Sequence, residues 1–405
     1  MEKTQQPQPT VLISGVSVAG PALAYWLVRY GFAVTLVEQA PALRPGGYAV
    51  DVRGAAIEVI DRMGILKQVQ AADTAMQGMY LVDRHGQQIA QLNDAAPGNR
   101  SGNGSVEIMR GDLAGLLYDL TKDRCTYRWG DSIATLQAGE DGVAVTFEQG
   151  PPQRFDFVMG ADGLHSRVRQ LTFGDEAQFV HGLGCYVSIF TVPNHLRLQN
   201  RQLVYLAPRR LVSLYSARQN TEAKAFLVFK SPLLPYSRRD VAAQKQLVVQ
   251  AFADERGWEV PRLLKTLEEA PDFYFDLMAQ VRLESWSRGR VALVGDAAYC
   301  ASPASGQGTS LALVGAYVLA GELYQARGNY AAAFASYQHE MRTFVQQNQQ
   351  LGVAIAKDMV PASALEVGVR NLIVRLPGLL PWLMKRSERE IKQAAEGIVL
   401  KSYPA

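Results

Sequence analysis

Cysteine is scarce in this sequence. Its three copies, Cys125, Cys185 and Cys300, stand far apart with no CxxC pair. That usage argues against a disulfide framework and a zinc site, and for a reducing compartment. An excess of one charge is lacking as well. Against 41 Lys and Arg stand 38 Asp and Glu, a net charge of +3 without basic blocks, so nucleic acid is not an expected partner. An unbroken apolar stretch of about 18 residues, the least a membrane-spanning helix needs, does not occur. Residues 1–9 are polar and hold proline but no apolar segment, which reads as a disordered lead-in and not a secretory signal. The expectation is a soluble, cytoplasmic chain. The five histidines form no Ser/His/Asp or Cys/His constellation, and no metal-ligand set or internal repeat is visible.

What the chain does hold is ample core material: 48% of its 405 residues are hydrophobic, enough for two intimately joined domains. Everything is organised around one stretch near the start. Val11-Leu12-Ile13 reads as a buried parallel strand entering a turn of small residues, Ser14-Gly15-Val16-Ser17-Val18-Ala19-Gly20. Pro21 sits where a helix can begin without losing a needed N–H, and a helix is expected over 22–30, stopped by Gly31. Residues 32–37 supply a second strand, and Glu38 closes it eighteen positions after Gly20. Such a βαβ unit puts a pyrophosphate at the helix N-terminus and an acid on ribose hydroxyls. Ser17 replaces the glycine usual at the closest approach to phosphate; it is small enough to fit and its hydroxyl can donate.

Further along, Gly46-Gly47 precedes a short strand ending near Asp51, as backbone passing a flat ligand would require. Asp83-Arg84-His85-Gly86 joins strands 79–82 and 88–92 in a hairpin, and 95–105 reads as a surface loop. Within 106–113 a helix starts that continues through Leu120, with Arg110 just before its expected cap, Asp112. Residues 126–147 read as a small antiparallel meander, and 155–160 as a buried strand that runs into the loop Gly160-Ala161-Asp162-Gly163. From 182 to 281 the pattern becomes an antiparallel sheet dense in aromatics, with one helical insertion over 239–255. Most of those rings belong in a core. The candidates for a substrate-pocket wall are Tyr186, Phe190, Tyr205, Tyr215 and Phe226, together with Pro303. A strand ending in Gly295-Asp296 then resumes the first domain. The run Pro303-Ala304-Ser305-Gly306-Gln307-Gly308-Thr309 opens a long helix through 323 whose bare N–H groups could face negative charge. A second long helix is expected over 329–358, and broken helical structure with interruptions at Pro377 and Pro381 beyond 361.

Three separated motifs coincide: the Gly15–Gly20 turn with Glu38, the Gly160–Gly163 loop, and Gly295-Asp296 with Pro303 and Gly306-Gln307-Gly308. Their order resembles the class A FAD-dependent monooxygenases related to para-hydroxybenzoate hydroxylase, over about residues 10–325. Residues 44–51 and 107–113 are similar to the tetracycline-inactivating branch. The resemblance implies an α/β fold: a Rossmann-like FAD-binding domain at 1–180 and 282–360, an antiparallel-sheet substrate domain at 181–281, and C-terminal helices at 361–405. It implies FAD as cofactor, held by Gly15, Ser17, Val18, Ala19, Gly20, Glu38, Gln39, Gly47, Asp51, Arg110, Asp162, Asp296, Pro303, Gly306, Gly308 and Thr309. Arg44 would lie on the path of NADPH or NADH. A flavin C4a-hydroperoxide would then hydroxylate an aromatic or polyketide-like molecule, a tetracycline among the candidates. The flavin carries the chemistry, so no catalytic side chain is assigned.

His165, His181 and His195 are expected to be structural, and Cys300 is not expected to tether a flavin. A halogenase's Gly-Trp-x-Trp segment is missing, and an appended thioredoxin-like domain is not expected in a chain of this length. Two alternatives stay open: Baeyer–Villiger oxygen insertion on the same fold, and a non-catalytic flavoprotein that sequesters a hydrophobic ligand. The partners expected are the small substrate and O2, with the protein a monomer or weak dimer.

Overall fold

Short apolar strands bounded by glycine, alternating with helices, pair in parallel because each crossover helix returns the chain to the same edge. In the computed structural model, which describes residues 8–44, 46–92, 105–376 and 379–404, and of 379–384 only the backbone, they build a six-stranded sheet. Its order is Ser287–Arg288, Val291–Leu293, Phe157–Gly160, Thr10–Ser14, Ala33–Glu38, Thr126–Trp129. At the centre Leu12 lies between Val158 and Thr35. All pairings are parallel except the outermost, Ser287–Arg288. The C-terminal ends Ser14, Glu38, Gly160 and Leu293 therefore open on one edge, where such sheets place ligands.

Several expectations need correction. Thr126–Trp129 is not part of the meander; it joins the central sheet beside Ala33–Glu38, leaving Ile133–Gly139, Gly142–Phe147 and Gln153–Phe155 as a separate three-stranded sheet. The first helix, Ala19–Arg29, begins two residues before Pro21, which is tolerated because N–H groups of the first turn have no acceptor within the helix. Pro381 does not interrupt a helix either, for it lies in the first turn of Leu379–Ala395. The loop read at 95–105 falls almost wholly outside the described residues, as does Pro377.

A second sheet of seven strands runs in the order Tyr274–Val281, Val180–Pro193, Glu222–Lys230, Arg210–Ala217, Arg201–Ala207, Gly78–Val82, Gln88–Gln91. The hairpin at 78–91, counted with the first domain above, belongs here by pairing, since Arg201–Tyr205 runs parallel to Gly78–Val82. Two helices cover the outer face, Val241–Ala251 and Val260–Glu269. The second was missed, although Val260, Leu263 and Leu267 mark one buried helical face.

The helix Gly308–Gln325 is buried continuously from Ser310 to Leu323, as expected of one apolar on every side. The chain's last residues are tied to its far end. Tyr403 Oη donates to Glu322 at 2.8 Å, and Lys401 Nζ lies 2.9 Å from Glu322 and 3.0 Å from Glu340. The Tyr403 ring fits only because residue 321 is glycine; a Cβ there would stand 2.3 Å from it. Gly321→Ala should therefore expel the ring and cost about 1–3 kcal/mol, the usual range for overpacking. Urea unfolding followed by circular dichroism measures this, and an unchanged midpoint would contradict the packing described.

Candidate functional site

The turn after the first strand is shaped by close backbone approach. Gly15 adopts φ +104°, and a side chain there would collide with the carbonyl of Ala161 at 2.5 Å. Gly20 is equally closed, its hypothetical Cβ 1.9 Å from the Gly15 carbonyl. The helix that follows has no side-chain cap and no acid in its first turn, so its N-terminal N–H groups are free to face an anion. Ser17 and Ala19 are half-buried along this turn and Val18 is buried. Glu38 accepts N–H from Val16 at 2.9 Å and from Ala40 at 3.0 Å, while Arg44 lies 3.5 Å away. A carboxylate has room for further donors. Gln39 is exposed, and Arg44 touches the site through Glu38.

A second uncapped N-terminus faces the same cleft. The helix Gly308–Gln325 also begins with no side-chain cap and no acid in its first turn. Gly295 is wedged between the two helices, with Ala19 and Ala312 at 3.1 and 3.6 Å from where its Cβ would be. The Asp296 carboxylate is 3.7 Å from the corresponding point on Gly308. Pro303 and Gly306 are exposed although Ser302, Ala304, Ser305 and Gln307 around them are buried, and Thr309 is half-buried. Gln307 is fully buried, and neither its amide nitrogen nor its oxygen has a partner. Such an orphan is expected where a polar molecule is to be received. Burial pushes the Asp296 carboxyl up, opposed by the Cys300 thiol and Arg110. Asp296 nonetheless stays half-open, so it lines a deep cleft.

The Gly46–Asp51 segment forms a third side. Its strand Ala49–Val52 pairs with Val106–Met109, and Arg110 then donates its N–H to the Tyr48 carbonyl at 3.0 Å with its guanidinium 5.3 Å from the Tyr48 ring. Gly47 lies against Arg110, whose Nε would be 3.5 Å from a Cβ. Asp51 is 2.7 Å from Arg53, and its Oδ2 is 3.6 Å from a Cβ placed on Gly306. Asp162, by contrast, is spent on its own loop. It accepts from Ser14 at 3.3 Å, from Ser166, and from the Val168 N–H at 3.0 Å, while burial pushes its carboxyl up.

The proposed pocket aromatics divide between two faces, because successive residues of a strand point in opposite directions. Tyr186, Phe190 and Tyr205 belong to the outer core under the two helices, with the Tyr186 hydroxyl accepting from Leu234 N–H and the Tyr205 hydroxyl donating to Glu255. They do not line the pocket. Tyr215, Phe226 and Pro303 are on the opposite, inner face. The Tyr215 hydroxyl accepts from Ala49 N–H at 3.3 Å, and Phe226 borders the inner cluster of Cys185, Val187, Ile189, Val228, Met278 and Ala304. Tyr48 and Tyr274, not among the candidates, border it too, their rings 5.6 Å apart.

Two further residues organise the site: Arg169, not among the candidates, and His165, expected from the sequence to be structural. Arg169, wholly buried, donates to the Ala297 carbonyl at 3.0 Å and the Leu164 carbonyl at 2.6 Å and pairs with Glu176 at 3.4 Å. His165 stands between Glu176 at 2.9 Å and Asp276 at 3.1 Å. Burial would lower its pKa, but those two carboxylates outweigh burial and raise it to about 8. His181 is exposed at a strand edge and His195 pairs with Glu259 at 2.8 Å. Only the flanking carboxylates distinguish His165, and one of them, Asp276, is 111 positions away in sequence. Among the described residues no cluster could hold a metal, and no helix is long and apolar enough to cross a membrane.

Comparison with known proteins agrees with this geometry. A family described as "FAD binding domain" matches residues 8–351. An uncharacterized protein of Mycobacterium tuberculosis is 48% identical over 88% of this chain and 94% of its own length. A flavin-dependent monooxygenase from an unknown prokaryotic organism is 43% identical over 90% of this chain and 94% of its own. The crystal structure of the tetracycline destructase Tet(51) superposes with a TM-score of 0.85 at 34% identity, covering 98% of this chain and all of that one.

Arg169→Met should lose about 1–3 kcal/mol, because it leaves the Ala297 and Leu164 carbonyls and the part-exposed Glu176 carboxylate without this donor; urea unfolding measures this. The His165 pKa, raised above its unfolded value of about 6.5, contributes stability present below pH 6.5 and lost as pH rises through 8. The loss is about 2 kcal/mol for a shift of that size. It should vanish in His165→Gln when unfolding is compared at pH 6.5 and 9.

Proposed function

This chain belongs to the FAD-binding family of flavin-dependent monooxygenases, and from that premise we propose that it uses NADPH or NADH and O2 to hydroxylate a small aromatic or polyketide-like molecule, tetracyclines among its candidate substrates. The observation that supports the reading is the meeting of two uncapped helix N-termini and a deep carboxylate, Asp296, beneath the inner face of an apolar and aromatic sheet.

The residues present fit FAD. The N–H groups at 15–20 and the first helix would receive the pyrophosphate, Glu38 the adenosine ribose, and Asp296 the ribityl hydroxyls. The N–H groups at 306–309 and the unpartnered Gln307 amide would serve the ring. When bound and reduced, FAD supplies the oxygen-activating chemistry. The chain's own residues bind, orient and exclude water. Val187, Ile189 and Phe226 offer a dry wall to a planar ring, while Tyr215, Arg110 and the Gln202–Ser213 pair, 2.9 Å apart, offer polar contacts at its edges. A hollow of about 460 Å3 lined in part by Arg44, Gly46, Gly111, Gly115 and Arg218 adjoins this cleft. Its two arginines suit the phosphates of a transient nicotinamide dinucleotide. A comparable hollow at Val28, Phe32 and Cys125 holds none of the candidate residues.

The test is a panel of phenolic polyketides and tetracyclines, read as stimulated NAD(P)H oxidation and followed by product NMR. A hydroxylated ring carbon supports the proposal, oxygen inserted beside a ketone replaces it with Baeyer–Villiger chemistry, and no stimulation by any member would refute it. Asp296→Ala and Glu38→Ala should each weaken FAD retention about tenfold or more, since a charge-assisted hydrogen bond is worth about 1.5–3 kcal/mol. Flavin absorbance per protein after gel filtration shows this, and full occupancy would remove the assigned role.

A further inference from the structure

One connected set of titratable groups has no part in the binding roles assigned to the cleft. It begins at the inner face of the sheet. Tyr274 is half-open there beside Tyr48, and its hydroxyl donates to Asp276 Oδ2 at 3.4 Å. Asp276 is nearly buried and also accepts from the Tyr236 hydroxyl at 3.2 Å and the Leu277 N–H at 2.8 Å. Both its oxygens lie 3.1 Å from His165 Nε2. His165 Nδ1 is 2.9 Å from Glu176, whose side chain is 31% exposed. Arg169 from one helix and Arg238 from the loop before another complete the surroundings at 3.4 and 3.8 Å from Glu176. Polar groups thus reach from the cleft to the solvent through a wall that is otherwise Cys185, Val187, Ile189 and Met278.

A clasp between the two sheets would need only His165 and one carboxylate. Nothing in that role calls for Tyr274, whose hydroxyl extends the series inward, or for Glu176 at the outer end. The reaction proposed above does call for such a route: RH + O2 + NAD(P)H + H+ gives ROH + NAD(P)+ + H2O. Two electrons leave the nicotinamide, one oxygen atom enters a C–H bond, and the other becomes water with one proton drawn from the medium. A cleft that keeps bulk water out must still admit that proton.

We propose that Tyr274, Asp276 and His165 form the path by which this proton enters from solvent, with Glu176 at its mouth. Tyr274 releases its hydroxyl proton into the cleft and is reprotonated by Asp276. Asp276 takes the proton from His165 Nε2, and the neutral imidazole is recharged from solvent beside Glu176. One proton enters, one is delivered, and every group returns to its starting state. The raised pKa of His165 keeps it charged at neutral pH, and burial keeps Tyr274 protonated, so donors stand ready at both ends. The proposal rests on the monooxygenase reading.

The test uses holoenzyme photoreduced under argon and mixed with oxygenated buffer, where without substrate the anionic reduced flavin, O2 and one proton give oxidised FAD and H2O2, with return of the oxidised-FAD absorbance and proton uptake by phenol red recorded together. Proton uptake should slow at least about tenfold in His165→Ala and recover on adding free imidazole, which a merely structural role would not allow. Tyr274→Phe, which removes one oxygen and keeps the ring, should slow uptake without imidazole rescue. In the resting protein, NMR titration should place His165 near 8 and return it toward its ordinary value in Asp276→Asn. Uptake as fast as wild type in both variants, or an ordinary His165 pKa in the unaltered protein, overturns the path. A wild-type protein that holds no FAD would instead overturn the reading beneath it, while the NMR titration still judges the His165–Asp276 contact on its own.

Discussion

The site is held by one buried guanidinium. Arg169 has no exposure to solvent, and removing such a charge from water is costly unless it is paired and hydrogen-bonded; both terminal nitrogens are, while Nε has no partner. Here the matching groups come from three places: the Leu164 carbonyl in the loop after the third central strand, the Ala297 carbonyl next to Asp296, and the Glu176 carboxylate. Their charge and dipoles repay the cost only when all three segments are in place. Segments more than a hundred residues apart are thereby fixed against each other, and Asp296 is delivered to the cleft.

Around that tie, the cleft is built mainly from backbone. Gly15 against Ala161, Gly295 against Ala19, and Gly306 against Asp51 bring four segments within van der Waals reach of one another. The polar capacity left over is N–H groups and dipole ends of two helices, which suits a ligand that carries a pyrophosphate and a polarisable ring. Such a site has little need of a reactive side chain. The chemistry belongs to the cofactor, and the protein's part is orientation, dryness and proton traffic.

The second sheet shows why aromatic residues mislead. It is covered on both faces, by helices on one side and by the cofactor domain on the other, so alternation of hydrophobic and polar residues no longer marks an inside. Tyr186 and Phe226 look alike in the sequence. Tyr186 stacks with Phe229 and Phe275 in the outer core, whereas Phe226, three positions before Phe229 on the same strand and so of opposite parity to it, borders the inner cluster. Charge at distance is equally silent in one dimension: Glu176 and Asp276, a hundred residues apart, become the two neighbours of His165.

The sequence by itself determined the central βαβ unit and the resemblance to FAD monooxygenases, and it singled out Glu38, Arg110, Asp296 and Gly306 as candidates for the cleft. Each of these is expressed in local spacing: a strand, a glycine turn, a helix start, an acid at a strand end. Tertiary structure alone decided that Thr126–Trp129 joins the central sheet and 78–91 the second one. It also decided which aromatics face the cleft and that Arg169 and His165 organise it. Those outcomes depend on pairing and packing between segments far apart in the chain, where period and propensity carry no information.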